Sequence, residues 1–211
     1  MALDLSRPLS VVTPTLDGDI LAVLAGAEQA FSAAQVHRLA GRATEQGVRK
    51  ALARLERQGI IIAEPAGASR LYRLNRAHLA APHIQALAGL RESLVAGLRT
   101  LVGGWIVAPA YAALFGSFAR REAGPQSDLD LFVVRPQEID EDDLRWRRQI
   151  DALTAAATAW TGNDARVLEY SAGEVQARVS LGDDVLDAVR REGIELAGVG
   201  TLIRRRRQGS A

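Results

Sequence analysis

The chain has 211 residues, 48% of them hydrophobic, and a formal net charge of +1. That length supports two small cored domains or one larger one. With no cysteine, disulfide frameworks and thiolate zinc sites are excluded. No apolar run approaches the roughly 20 residues of a membrane-spanning helix, and the first residues lack the basic-then-apolar pattern of a signal peptide. The expectation is a cytoplasmic protein with no membrane association. Charge is unevenly spread. Residues 1–81 hold 10 Lys/Arg against 7 Asp/Glu, residues 111–200 hold 10 against 17, and Arg204–Arg207 form a basic run in the last stretch. A basic head, an acidic body and a basic tail point to modules with different partners.

In chain order, residues 17–29 carry apolar positions at Ile20, Leu21, Leu24 and Ala27, with Asp17 as a candidate cap; this spacing predicts a helix. A second helix is predicted over 32–40, between Ser32 and Gly41. A third is predicted over 45–58, with Thr44 as its cap and Gly59 where a left-handed C-terminal residue is favoured. Its buried stripe is Val48, Leu52 and Leu55. Ile60–Ala63 and Arg70–Leu74 read as strands, separated by the turn-rich Pro65-Ala66-Gly67-Ala68.

Three short helices followed by a hairpin resemble a winged helix-turn-helix over residues 16–75. In such domains the third helix enters the major groove and the hairpin tip touches the backbone or the minor groove. Here the third helix presents Gln46, Arg49, Lys50 and Arg54, with Arg57 behind them, away from the apolar stripe, and Arg70 and Arg73 flank the wing. These residues are the candidate nucleic-acid contacts, through phosphates and, for Gln46 or Arg49, base edges. A solvated helix face on a protein-binding module is the plainer alternative.

Residues 82–102 are predicted to form one longer helix, because Ile84, Leu87, Leu94, Leu98 and Leu101 recur at steps near three and four. Gly89 and Gly97 each weaken a helix by about 1 kcal/mol relative to Ala. The stripe calls for a partner, either between domains or in a second subunit of a homodimer.

Chemistry concentrates in Ala112-Ala113-Leu114-Phe115-Gly116-Ser117-Phe118-Ala119-Arg120 and Ser127-Asp128-Leu129-Asp130-Leu131-Phe132-Val133-Val134. An apolar strand ends at Gly116-Ser117, where a glycine lets the backbone approach a ligand closely. Exposed amides at a helix start, with a serine hydroxyl, suit a phosphate. Ten residues separate Ser117 from Asp128. In the next strand Asp128 and Asp130 alternate with apolar residues, so both carboxylates lie on one face. Two hard oxygen ligands suit magnesium, which commonly takes one or two carboxylates and completes its shell with water and phosphates.

This stretch resembles the nucleotidyltransferase fold of the DNA polymerase beta superfamily. The longer pattern Gly116-Ser117-Phe118-Ala119-Arg120 with Ser127-Asp128-Leu129-Asp130 is similar to the small bacterial, or minimal, nucleotidyltransferases. Arg121 departs from the glycine that many relatives place there. The resemblance implies that Gly116, Ser117, Arg120 and Ser127 bind an NTP, with ATP as the expected donor, and that Asp128 and Asp130 hold Mg2+ or Mn2+. It also implies a third carboxylate on a later strand, binding a second metal or taking the acceptor's proton. Glu169 in the predicted strand 165–170 is the candidate, with Asp164 and Glu174 as alternatives. Residues 140–160 read as a helix before that strand. Asp184–Leu186 through Leu196 resemble the family's closing helix and strand.

The expected class is α+β: a winged helix-turn-helix over 1–81, a connecting helix over 82–104, a nucleotidyltransferase α/β domain with a mixed sheet over 105–200, and a basic tail over 201–211. The tail reads either as a phosphate contact or as a solvating end. The expected function is transfer of a nucleoside monophosphate from an NTP to a hydroxyl on protein, RNA or a small molecule, with DNA bound through the winged helix. The competing reading is a DNA-binding regulator or antitoxin whose C-terminal domain binds nucleotide or a protein partner without turnover. Minimal nucleotidyltransferases often belong to toxin–antitoxin pairs. Other chemistries are poorly supported: no Gly-Lys-Ser/Thr loop or Gly-x-Ser-x-Gly elbow occurs, and His37, His78 and His83 form no ligand spacing.

Overall fold

A computed structural model of the chain describes residues 2–41 and 43–203. The run Arg204–Arg207, read above as a basic tail, lies outside the described residues. The chain divides into two compact units, residues 7–91 and residues 1–6 with 92–211. No described helix is long and apolar enough to cross a membrane.

The first unit begins with a 3-10 turn, Pro8–Val11, and continues through α1 (Leu16–Ala25), β1 (Phe31–Ser32), α2 (Ala33–Ala40), α3 (Glu45–Arg57), β2 (Ile61–Ala66), β3 (Ser69–Leu74) and α4 (Ala81–Ala88). The Ser32 hydroxyl accepts from the Gln35 amide while the Gln35 side chain accepts from the Ser32 amide, a capping box that fixes the start of α2. Thr44 caps α3 through the Gly47 amide. The three strands run antiparallel in the order β1-β3-β2. Pro65 is tolerated in β2 because that strand is an edge and needs no donor on its open side. Apolar faces of all these elements close one core, with Ile20, Leu24, Val36, Val48, Leu52, Ile61 and Leu74 buried in it. The helix expected over 32–40 begins one residue later, because Ser32 joins Phe31 in β1, a strand not expected from the sequence, and α1, expected to have Asp17 as cap, has Thr15 at the N-cap position.

The long helix expected over 82–102 is two helices, α4 and α5 (Leu90–Gly103), with the break at Gly89, whose amide closes onto Gln85 and Leu87 carbonyls. The division between the compact units falls in the first turn of α5. Gly97 has a packing reason: the Trp160 ring lies against it, and a Cβ there would sit 3.1 Å from the ring.

The second unit continues with β4 (Tyr111–Phe115), α6 (Gly116–Arg120), β5 (Leu129–Arg135), α7 (Leu144–Thr161), β6 (Ala165–Ser171), α8 (Ala172–Leu181), α9 (Asp184–Glu192) and β7 (Ile194–Gly198). Its sheet has the order β6-β5-β4-β7 and is mixed: β4 is antiparallel to β5 and β7, and β5 is parallel to β6. The parallel pair requires a crossover, which α7 supplies. One face of the sheet, with Tyr111, Ala113, Phe132 and Val134, packs on Val175 of α8, Leu186 and Val189 of α9, and Ile203. On the opposite face the side chain of Trp146, at the start of α7, donates to Glu169 of β6. α8 had no counterpart in the sequence reading.

Candidate functional site

β4 and β5 pair in a register that sets Phe115 opposite Asp130. The backbone then turns at Gly116 with φ of +71°, a conformation that L side chains avoid. A Cβ on Gly116 would collide with Asp130 Oδ2. Glycine is therefore required twice, for the turn and for the carboxylate that lies against it. The Gly116-Ser117 turn and Asp130, remote in sequence, are in direct contact.

Asp128 and Asp130 share a face, as alternation predicts, and each is half-buried. Burial pushes the Asp130 carboxyl above its ordinary value, the Asp128 charge adds to that rise, and Arg166 and Arg120 partly offset it. The loop ahead of the two acids is fastened at its end. The Gly124 amide donates to Ser127 Oγ and the Ser127 amide to the Gly124 carbonyl, both at 3.0 Å. Buried Asn163 donates from Nδ2 to the Ser127 carbonyl at 3.0 Å. Ser127, read from sequence as a nucleotide contact, has its hydroxyl engaged in closing this loop. Arg120, read the same way, donates to Glu122 and to Glu192 of α9, at 2.7 Å each. Arg121 sits at φ of +64°, which explains why glycine is the easy residue at that position.

The third carboxylate is corrected by the sheet register. Parallel pairing sets Arg166 beside Asp130 and Glu169 beside Val133. Glu169 therefore faces the side of the sheet opposite to Asp130. There it accepts from Arg135 Nε at 2.8 Å and from Trp146 Nε1 at 2.9 Å. The alternatives fare no better. Glu174 closes a capping box with Ser171 at the start of α8. Asp164 is exposed just before β6, and its carbonyl accepts from the Leu129 amide. Among the described residues, no group of three or more His, Cys, Asp or Glu is arranged to hold a metal. The residue that sequence reasoning missed is Arg166, whose Nη2 lies 3.0 Å from Asp128 Oδ2.

The candidate nucleic-acid residues all belong to the first unit. Arg49 pairs with Glu45, Arg54 with Asp17, Arg70 with Glu56 and Arg73 with Glu64. Gln46 and Lys50 are exposed on α3.

Residues 95–170 match the family model of the nucleotidyltransferase domain. This is the stretch that holds Gly116, Ser117, Asp128 and Asp130, and it lies within the second unit. No curated protein matches the chain. Among solved structures, a toxin–antitoxin with AMP-PNP aligns at 16% identity and a TM-score of 0.36, covering 52% of this chain and 77% of the other. A mutant of the toxin–antitoxin MntA-HpeT aligns at 15% identity and a TM-score of 0.35, covering 52% and 76%.

Proposed function

We propose that the chain is a metal-dependent nucleotidyltransferase that moves a nucleoside monophosphate from an NTP, with ATP as donor, to a hydroxyl acceptor on a protein, an RNA or a small molecule. The observation that carries this reading is the contact between Gly116 and the Asp130 carboxylate. It brings a turn suited to phosphate oxygens against a pair of acids suited to a cation. Asp128 and Asp130 fit one Mg2+ or Mn2+, because their mutual repulsion and the burial of Asp130 are relieved by a positive charge. Such an ion would supply charge neutralisation at the phosphate oxygens. Ser117 and the amides of the turn would bind and orient the triphosphate tail, contributing mainly by positioning. Ser127 and Asn163 hold the loop end in place and so position Asp128.

The test is transfer of radiolabel from an α-labelled NTP with Mg2+, offered in separate arms to protein, RNA and small-molecule acceptors. Asp128→Ala and Asp130→Ala are expected to lower transfer by about a thousandfold or more while retaining the wild-type melting profile. Normal transfer by either variant overturns the reading.

The first unit is proposed to be a nucleic-acid-binding winged helix. What supports this is its element order, three helices then a hairpin, and the polar face of α3. Pairing of Arg49, Arg54, Arg70 and Arg73 with acids is compatible with it, because exposed ion pairs contribute only about 0–1 kcal/mol and a phosphate can replace the acid. Duplex DNA binding is expected to weaken steeply with salt, and Lys50→Ala to reduce the log–log slope by about 1. Salt-insensitive binding, or none, counts against it. Binding to DNA without label transfer to any acceptor would instead favour a regulator whose second unit does not turn over.

A further inference from the structure

We propose that Arg166 is a phosphate-binding residue that exchanges its partner, from Asp128 in the free protein to the triphosphate when the nucleotide and its cation enter. The inference rests on the Asp128–Asp130 reading above and adds a residue that the motif does not contain.

Three observations carry it. Parallel pairing of β5 with β6 sets Arg166 directly beside Asp130, on the face that carries both acids. Its guanidinium reaches along that face to Asp128, with Nη2 at 3.0 Å from Oδ2. The side chain is 71% exposed and that of Asp128 32%, so the guanidinium is held by one solvated ion pair and is free to swing. Where a third carboxylate would complete an acidic cluster, the chain places a cation.

The two roles of Asp128 compete. A divalent cation at this carboxylate would repel the guanidinium and weaken its ion pair, because two positive charges would face each other across one acid. A displaced arginine beside an acid pair then faces whatever anion the cation brings. Arginine's planar fork matches phosphate oxygens and remains charged throughout. A single cation and one arginine thus divide the work of neutralising the triphosphate, in place of two cations held by three carboxylates. Metal alone should bind poorly, since it must break the ion pair with no phosphate to receive the arginine. Metal together with nucleotide should bind well.

The experiment measures two affinities on the full chain: Mn2+ alone, by electron paramagnetic resonance, and AMP-PNP with Mg2+, by calorimetry. Arg166→Gln is expected to tighten Mn2+ alone by about two- to fivefold, the worth of an exposed ion pair. The same variant is expected to weaken AMP-PNP with Mg2+ by about tenfold, the worth of a charge-assisted bond to phosphate. Arg166→Lys should recover part of the nucleotide affinity. Titration of Mn2+ in the presence of AMP-PNP should saturate at one ion per wild-type chain. The proposal is overturned if the two affinities move together, if either fails to move, or if two ions bind. Asp130→Asn separates the levels: if it binds Mn2+ as the wild type does, the acid pair itself is misread, whereas loss of Mn2+ in Asp130→Asn with unmoved Arg166→Gln removes only the role of Arg166.

Discussion

Arg135 and Glu169 meet at 2.8 Å on the face of the sheet opposite to Asp130, each side chain less than a fifth exposed. Trp146 adds its indole N–H to the same carboxylate oxygen, and Arg147 lies 3.8 Å from the other. Arg135 also donates to the Ile139 carbonyl. This cluster ties β5, β6 and the start of α7 together, and it assigns Glu169 to stability.

Glu169→Gln removes the charge that Arg135 faces while keeping an amide oxygen for Trp146. The unfolding free energy in urea is expected to fall by about 1–3 kcal/mol. Label transfer per folded molecule should stay within about twofold of wild type. A hundredfold loss of transfer at unchanged stability would return Glu169 to the acid pair.

Gly116 and Gly41 share a φ of +71°, but only Gly116 has a carboxylate where its Cβ would be. Gly41→Ala and Gly116→Ala should each lose about 1–2 kcal/mol to the left-handed backbone. Only Gly116→Ala should also lose nucleotide transfer, by about a hundredfold, through displacement of Asp130. Equal transfer by the two variants would deny the Gly116–Asp130 contact any part in the chemistry.

Asn163 is buried and uses both ends of its amide: Nδ2 donates to the Ser127 carbonyl and Oδ1 accepts from the Leu3 amide. Asn163→Ala should cost about 1–3 kcal/mol. It should also raise KM for the NTP more than a distant variant of equal stability does, since Ser127 directly precedes Asp128. An unchanged KM would confine Asn163 to folding.

Asp143 caps α7 by accepting from the Arg145 and Trp146 amides. The Arg145 side-chain bond, aided by those amides, holds its carboxyl down to about 2. A depressed folded value means that its stabilisation is present above the ordinary carboxylate range and fades as pH falls through about 2. Asp143→Ala should melt a few degrees lower at neutral pH, with the gap closing as the solution is acidified. A gap that persists at pH 2 would show that charge has no part in the cap.

Gly116, Ser117, Asp128 and Asp130 were legible because each signal is local: a turn residue after an apolar run, and alternation within one strand. The cap at Thr44, the left-handed Gly59, and Ser32 and Gly41 as the residues that bound α2 were legible for the same reason. Glu169 was misread because alternation orders residues within a strand and is silent on which set faces a neighbour. That is decided by the ladder bond from the Leu129 amide to the Asp164 carbonyl, a contact between residues 35 apart in the chain. The same bond is what makes Arg166 visible. α4 and α5 were merged because the apolar steps run on across Gly89, and only the backbone break separates them. α8 went unread because Val175 is its sole fully buried residue, too little for a stripe to show.

The register of β4 on β5 also decides what the connector between them is free to do. Phe115 opposite Asp130 sets the turn against the acid by strand pairing, and the intervening residues are tied back to the motif at two points, the Glu122 amide on the Ser117 carbonyl and Gly124 on Ser127. Each doubling of such a connector costs only about 0.6 kcal/mol. Insertions that keep those two ties should leave the chemistry's geometry intact, which makes this connector the natural place to graft an acceptor-selecting loop.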